Sequence, residues 1–144
     1  MIMQCFGALD EKLVIELESK LGVTLPESYR YFLKETGGGV VEQDGSNKVL
    51  IPSINKTIAI DVFFGYGVTK NSDILYWNDM YKDEIFENAV LIGFDARQGY
   101  LFLIAGDDNT NVYYWDDGYT FEESDDDQNV YLLGEDFSMF DIRK

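Results

Sequence analysis

The sequence predicts an α+β fold: an N-terminal helical hairpin packed on a central antiparallel β-sheet, with a short C-terminal helix. Three observations support it. Apolar residues recur at helical spacing before Gly39, short β-branched and aromatic runs follow it, and two runs, Val90–Phe94 and Tyr100–Ala105, are continuously apolar. Helices at one end of the chain and successive strands after them are typical of the α+β class, and the length predicts a single domain over residues 1–144.

The first helix is predicted from apolar residues at four-residue steps. Its apolar face consists of Leu9, Leu13, Val14, Leu17 and Leu21. This spacing places them on one side of a helix that can pack on a core. Asp10 is expected to cap the N-terminus, and Gly22 is expected to end the helix in the left-handed conformation.

The second helix follows a Leu-Pro joint. Thr24 and Glu27 have the spacing of a capping box, and Pro26 stands in the first turn, where its missing N–H costs little. The apolar face is formed by Tyr29, Phe32 and Leu33. Residues 37–39 are three glycines, which we expect to stop this helix.

Three runs after the glycines predict short strands: Val40-Val41, Val49–Ile51 and Ile58–Phe64. The turn at residues 42–48 contains Asp-Gly and is expected to connect the first two runs as a hairpin. Residues 71–88 contain spaced apolar side chains that predict a short amphipathic helix.

The two continuously apolar runs are expected to be central strands covered on both faces. Val112–Trp115 and Val130–Leu133 are predicted as further strands, and Asp136–Ile142 as a short last helix. We expect an antiparallel meander with the N-terminal helices packed on one face.

Composition favours a folded cytoplasmic protein. With 46% hydrophobic residues, the chain can build a core and does not have a disordered composition. The N-terminus lacks the features of a secretory signal, and no apolar stretch is long enough to cross a bilayer. Cys5 is the only cysteine, which excludes an intramolecular disulfide, and we interpret it as a small apolar residue. Nothing in the sequence specifies an oligomeric state.

The negative charge lies mostly in the second half of the chain. The sequence carries 27 acids and 11 bases, a net charge of −16. Residues 1–70 hold nine acids and seven bases, whereas residues 71–144 hold 18 acids and four bases. Residues 107–127 contain nine acids and no base. Because phosphates and anionic lipids are bound through Lys and Arg, neither nucleic acid nor a membrane is expected as a partner.

The absence of histidine limits the chemistry of the chain. It excludes a Ser-His-Asp triad, a Cys-His pair and a His-ligated zinc. A carboxylate-only enzyme stays open as an alternative, but no acid pair stands out by its spacing, so no catalytic residue and no cofactor are predicted.

Asp107, Asn109 and Asn111 match the start of an EF-hand loop. Val112 and Gly118 stand where glycine and glutamate belong, so we predict a turn and no metal site.

The candidate binding site lies around the strand Val112–Trp115 and the acidic segment after it. Tyr113 and Trp115 share one side of this strand, with Val112 and Tyr114 on the other. Tyr and Trp are favoured anchors at protein interfaces, although a core Trp115 and a solvated acidic loop would explain the same residues. The predicted partner-binding residues are Asp107, Asp108, Tyr113, Trp115, Asp116, Asp117, Tyr119, Glu122, Glu123, Asp125, Asp126 and Asp127.

Several motifs occur together in one order along nearly the whole chain. They are Leu21-Gly22, Leu25-Pro26, Tyr29, Phe32-Leu33, Gly37-Gly38, the runs AVLIGFDARQGYLFLI and NVYYWDD, and the closing DFSMF. This set resembles the SUKH superfamily (Smi/Knr-like), although the family's Ser-Phe order is changed here to Phe137-Ser138. The resemblance implies that Leu25, Pro26, Tyr29, Phe32 and Gly38 maintain the fold. It also implies a role as an immunity protein, because many bacterial members neutralise polymorphic toxins.

The leading hypothesis is therefore a non-enzymatic immunity protein that neutralises a cognate toxin, and the acidic second half suits a basic target such as a nuclease domain. The alternative is a regulatory or scaffold domain that engages cellular partners without a toxin, as the fungal members do. Neutralising five acids together is expected to slow complex formation and flatten its salt dependence. These five are Asp116, Asp117, Asp125, Asp126 and Asp127.

Overall fold

The computed structural model describes residues 1–105 and 108–144, and within them the chain forms three α-helices and eight strands. The helices are α1 (Glu11–Leu21), α2 (Glu27–Thr36) and α3 (Ile74–Met80). The strands are β1 (Met3–Cys5), β2 (Gly39–Val41), β3 (Lys48–Ile51), β4 (Lys56–Phe63), β5 (Ala89–Asp95), β6 (Tyr100–Ile104), β7 (Val112–Trp115) and β8 (Val130–Gly134). The predicted α+β class is confirmed. None of the helices in these residues has the length and apolar character needed to span a bilayer.

The strands form one antiparallel sheet in the order β1-β2-β4-β5-β6-β7-β8, and β3 pairs with β4 outside this path. From β4 to β8 the strands follow one another along the chain, which confirms the predicted meander. The edge strand β1 was not predicted, because three residues are too few to show a period. Beside it runs the C-terminal segment, where the Met3 N–H donates to the Arg143 carbonyl at 2.8 Å.

The helical hairpin begins and ends where the sequence predicts. Asp10 caps α1 by accepting the N–H of Leu13 at 2.8 Å. Gly22 follows α1 in the left-handed conformation, with a φ of 74°. Gly37 ends α2 in the same way, and a Cβ there would lie 1.8 Å from the carbonyl oxygen of Gly7. Only glycine fits that position.

The capping box predicted for α2 is wrong. Pro26 occupies the N-cap position of α2, and no side chain caps the helix there. The nearby N–H of Leu25 instead donates to Glu18 Oε2 of α1 at 2.7 Å. The Leu25 N–H is a different donor from the one that Thr24 would have capped, and its bond to Glu18 links the start of α2 to α1.

The hairpin predicted at residues 42–48 is also wrong. β3 pairs with β4, the strand after it, while β2 pairs with β1 and β4. The loop between β2 and β3 is fixed by Asn47, which is buried and donates from its side-chain amide to the Ile60 carbonyl at 3.0 Å. The Asp-Gly pair therefore makes a turn within a loop that packs on β4.

The C-terminal segment contains a single 3-10 turn, Phe137–Met139, where a short helix was predicted. Its aromatic side chains join α2 to the sheet. The Phe137 ring lies 4.7 Å from Phe32 of α2 and 5.6 Å from Phe63 of β4. The Phe140 ring lies 5.4 Å from Phe63. These ring contacts form the part of the core that anchors the helical hairpin.

Helix α3 lies in the connection between β4 and β5 and packs beside β5. There the Asn78 side chain bonds both backbone groups of Leu91: its amide donates to the carbonyl at 2.9 Å, and its oxygen accepts the N–H at 2.8 Å. Trp77 of α3 packs with the rings of Phe94 and Tyr100 at 6.0 and 5.8 Å. Helix α3 therefore covers part of the sheet face to which Tyr100 belongs.

Candidate protein-binding surface

One face of β6 and β7 carries two pairs of aromatic side chains. Tyr100 lies opposite Trp115, and Phe102 lies opposite Tyr113. Residues opposite one another in antiparallel strands share a face, and the paired rings lie 5.6 and 5.2 Å apart. The predicted alternation of β7 is confirmed, because its other two side chains are fully buried on the opposite face.

A groove of about 570 Å³ opens beside these aromatic side chains. Its lining residues include Asp83, Glu84, Phe86, Phe102, Trp115, Asp117, Tyr119 and Val130. Phe102 and Trp115 are almost entirely buried, whereas Phe86 and Tyr119 are 58% and 47% exposed. Among the described residues, the charged side chains that line this groove are all acids. We refer to it as the acidic groove.

The acids of this groove also affect the pKa of Tyr100, whose ring packs against Trp115. Burial is the main cause that raises the pKa of Tyr100, and the hydrogen bond with the Tyr81 hydroxyl, at 2.9 Å, raises it further. The negative charges of Asp117 and Glu84 also raise this pKa. Acids from both sides of the acidic groove therefore oppose ionisation of the same phenol.

Asp116 was expected on the binding surface, but it is buried, with only 1% of its surface exposed. Its carboxylate accepts hydrogen bonds from the N–H and hydroxyl of Thr120, the N–H of Phe121 and the hydroxyl of Ser124. Burial alone would raise the pKa of Asp116, but these hydrogen bonds outweigh it and lower the pKa. Asp116 therefore organises the loop after β7 and is not accessible to a partner.

The other predicted acids of this loop are more accessible. Asp117, Glu122, Asp125, Asp126 and Asp127 are exposed, and Glu123 is half-buried. Two of the exposed acids also shape the loop. Asp125 accepts the N–H groups of Asp127 and Gln128, and Asp126 accepts the Tyr119 hydroxyl at 2.8 Å.

Tyr113 and Asp108, two further predicted residues, are not among the residues that line the acidic groove. Tyr113 is half-buried, and its hydroxyl accepts hydrogen bonds from Asn109 and Asn111 at the other end of β7. Asp108 is exposed, and Asp107 lies outside the described residues. The structure therefore brings three predicted residues together in the groove lining: Trp115, Asp117 and Tyr119.

The other side of the acidic groove is formed by residues 83–86, which were not predicted as partner-binding residues. This segment connects α3 to β5, and its Phe86 ring packs 6.1 Å from Phe102. A signal was present in the sequence, since Ile85 and Phe86 stand between acidic residues directly after an amphipathic helix. Aromatic side chains are enriched at protein interfaces relative to the rest of the surface, so the exposed Phe86 indicates a binding surface.

A second groove of about 540 Å³ lies between α2 and the C-terminal turn. Its lining includes Phe32, Phe137, Phe140, Glu27, Glu35 and Lys144. The aromatic residues belong to the core of the fold, and Lys144 pairs with Glu35 at 3.6 Å. Because Lys144 offsets the charge of Glu35, this groove is less negative than the acidic groove and is a weaker candidate for binding a basic partner.

No group of three or more Cys, Asp and Glu side chains that could hold a metal ion occurs in residues 1–105 and 108–144.

No curated protein matches the chain. The family model described as the SMI1/KNR4 family (SUKH-1) matches residues 8–141, from just before α1 to beyond the C-terminal turn. This range includes the helical hairpin, strands β2 to β8 and both walls of the acidic groove. The chain therefore belongs to the SMI1/KNR4 family (SUKH-1).

Proposed function

We propose that this protein is a non-enzymatic immunity protein that binds a basic toxin domain and covers its active surface. The acidic groove is the observation that carries the proposal, because it combines aromatic side chains with charged side chains that, in the described part of the chain, are all acids. Membership of the SMI1/KNR4 family supports a protein-binding role in general. The immunity role and the basic target are our extension of it.

The groove has the composition of a protein interface. Aromatic side chains bury a large area at little entropic cost, and they dominate the energy of many interfaces. Exposed acids around such anchors steer a basic partner, with association rates of about 10⁸–10⁹ M⁻¹s⁻¹ at low salt. The proposed contact surface contains the groove residues Trp115, Asp117 and Tyr119 and the neighbouring exposed acids Glu122, Asp125, Asp126 and Asp127.

The identity of the partner is tested by co-expression with the products of the adjoining reading frames, followed by affinity purification. We expect a toxin domain with a basic surface to co-purify in equal amounts and to lose its activity. A co-purified cellular protein in place of a toxin would support the regulatory or scaffold alternative and contradict the proposal.

The contact surface is tested by the kinetics of that complex. The variant D117N/E122Q/D127N removes three exposed charges and leaves the hydrogen bonds of Asp116, Asp125 and Asp126 in place. We expect association several-fold slower than for the unmodified protein and a weaker dependence on salt.

The matched control removes three exposed charges from the first half of the chain, in the variant E16Q/E35Q/E42Q. Glu16 and Glu35 form only surface ion pairs with Lys20 and Lys144, which contribute little to stability. We expect association close to that of the unmodified protein. Equal slowing by both variants would show that net charge, and not this surface, steers the partner.

A further inference from the structure

We infer that the acidic groove is a receptor for one arginine side chain of the partner, held between aromatic side chains and carboxylates. The inference rests on the proposed function and specifies the chemistry of the contact. Two independent properties of the groove support it, the arrangement of its aromatic rings and the sign of its charges.

The aromatic rings provide surfaces for a planar cation. Trp115 lines the groove but is almost entirely buried, and it is held in place by Tyr81 and Tyr100, whose ring centroids lie 5.5 and 5.6 Å away. Phe86 and Tyr119 line the same groove and are largely exposed. A guanidinium group stacks on aromatic faces and is less strongly hydrated than an ammonium group, so arginine suits such surfaces better than lysine.

The carboxylates provide the complementary charge. Asp83, Glu84 and Asp117 line the groove and are exposed, and no Lys or Arg is among its described lining residues. The base that precedes this segment, Lys82, is paired with Asp79 at 3.5 Å. A guanidinium group can donate paired hydrogen bonds to a carboxylate while its plane rests on an aromatic ring.

One wall of the groove is organised before any partner binds. Tyr119 has a φ of 51°, in the left-handed region, and its hydroxyl is bound to Asp126. Asp116 accepts the N–H of Thr120, the next residue. The Tyr119 backbone and ring therefore have little freedom to lose on binding, and preorganisation of this kind raises affinity.

The inference can be tested without the toxin. A capped Gly-Arg-Gly tripeptide is titrated into the ¹⁵N-labelled full chain, and the indole N–H signals of its two tryptophans are followed by NMR. The Trp115 signal is assigned with Trp77→Phe. We expect a saturable shift of the Trp115 signal with this peptide, and none with Gly-citrulline-Gly, which has nearly the same shape but no charge.

Two double variants locate the site. E84Q/D117N should weaken binding of the arginine peptide about tenfold, whereas E16Q/E42Q, with the same change of net charge, should bind it like the unmodified protein. No saturable shift, an equal response to the citrulline peptide, or equal weakening in both variants would overturn the inference. Equal binding of Gly-Lys-Gly would overturn the preference for arginine. None of these outcomes affects co-purification of a basic toxin, so the proposed function is tested separately.

Discussion

The Tyr114 hydroxyl donates a hydrogen bond to Asp95 Oδ1 over 2.9 Å, and both side chains are buried. The same oxygen accepts the N–H groups of Arg97 and Gly99. The other oxygen, Oδ2, has no hydrogen-bond partner among the described residues. Burial raises the pKa of Asp95, and the three hydrogen bonds offset only part of this effect. The turn between β5 and β6 therefore holds a carboxylate that is poorly solvated when charged.

The first prediction concerns pH. Because the folded pKa of Asp95 lies above its unfolded value, the folded state binds this proton more tightly. The Asp95 contribution to stability therefore increases as pH falls through the folded pKa towards about 4, its ordinary range. Urea denaturation of the unmodified protein and Asp95→Asn across this range should show the unmodified protein gaining relative stability on acidification. Parallel pH profiles would contradict the assignment.

The second prediction concerns Gly99. A Cβ at this position would lie 1.9 Å from the Tyr114 hydroxyl oxygen, so Gly99→Ala should displace the phenol and break its bond to Asp95. We expect a loss of about 1–3 kcal/mol in the free energy of unfolding, measured by urea denaturation. Gly118→Ala is the control, because a Cβ there would meet its nearest atom, Thr120 Cγ2, at 3.8 Å. A control loss as large as that of Gly99→Ala would refute the steric explanation.

The third prediction separates two neighbouring acids. Asp116→Ala removes the acceptor for donors of Thr120, Phe121 and Ser124, of which the Phe121 N–H is buried, so we expect a loss of about 2–3 kcal/mol of stability. Asp117→Ala, at an exposed position, should change stability by less than about 0.5 kcal/mol. The lowered pKa of Asp116 means that its contribution is present above the ordinary carboxyl range and is lost as pH falls through the folded pKa.

Asp117→Ala is expected to act on partner binding and not on stability. Asp117→Ala should weaken the complex while the fold is unchanged by circular dichroism. If Asp116→Ala were as stable as Asp117→Ala, the loop would not depend on the buried carboxylate.

The fourth prediction tests the C-terminal turn. Phe137→Ala should cost about 3–5 kcal/mol, because the ring is buried against Phe32 and Phe63. Met139→Ala in the same turn should cost less than about 1 kcal/mol, since Met139 is 40% exposed. Thermal unfolding of both variants measures the difference. Similar values would mean that the turn is not part of the core.

Features decided by neighbouring residues were predictable from the sequence. The cap at Asp10, the left-handed Gly22 and the end of α2 at Gly37 depend on local geometry, and all three are confirmed. The predictions of the capping box and of the hairpin at residues 42–48 failed because contacts with other elements decide these regions. Glu18 of α1 accepts the Leu25 N–H, and the Ile60 carbonyl of β4 accepts a hydrogen bond from Asn47.

The candidate site was predictable on one side only. Trp115, Asp117 and Tyr119 are close in sequence, so composition indicates them together. Residues 83–86 reach the same groove only because α3 and β5 bring them beside β6, which a single sequence does not reveal. Composition also cannot separate Asp116 from Asp117, because their difference arises where the chain leaves β7.

Asn78 links the backbone of β5 to α3, and the segment after α3 forms one side of the acidic groove. The other side is the loop after β7, so both sides are connections attached to the same rigid sheet. Under the proposed function, exchange of exposed residues in either connection would alter which partner is recognised without disturbing the strands. With such a scaffold, partner specificity can change together with the partner's surface, while the free energy of unfolding stays almost constant.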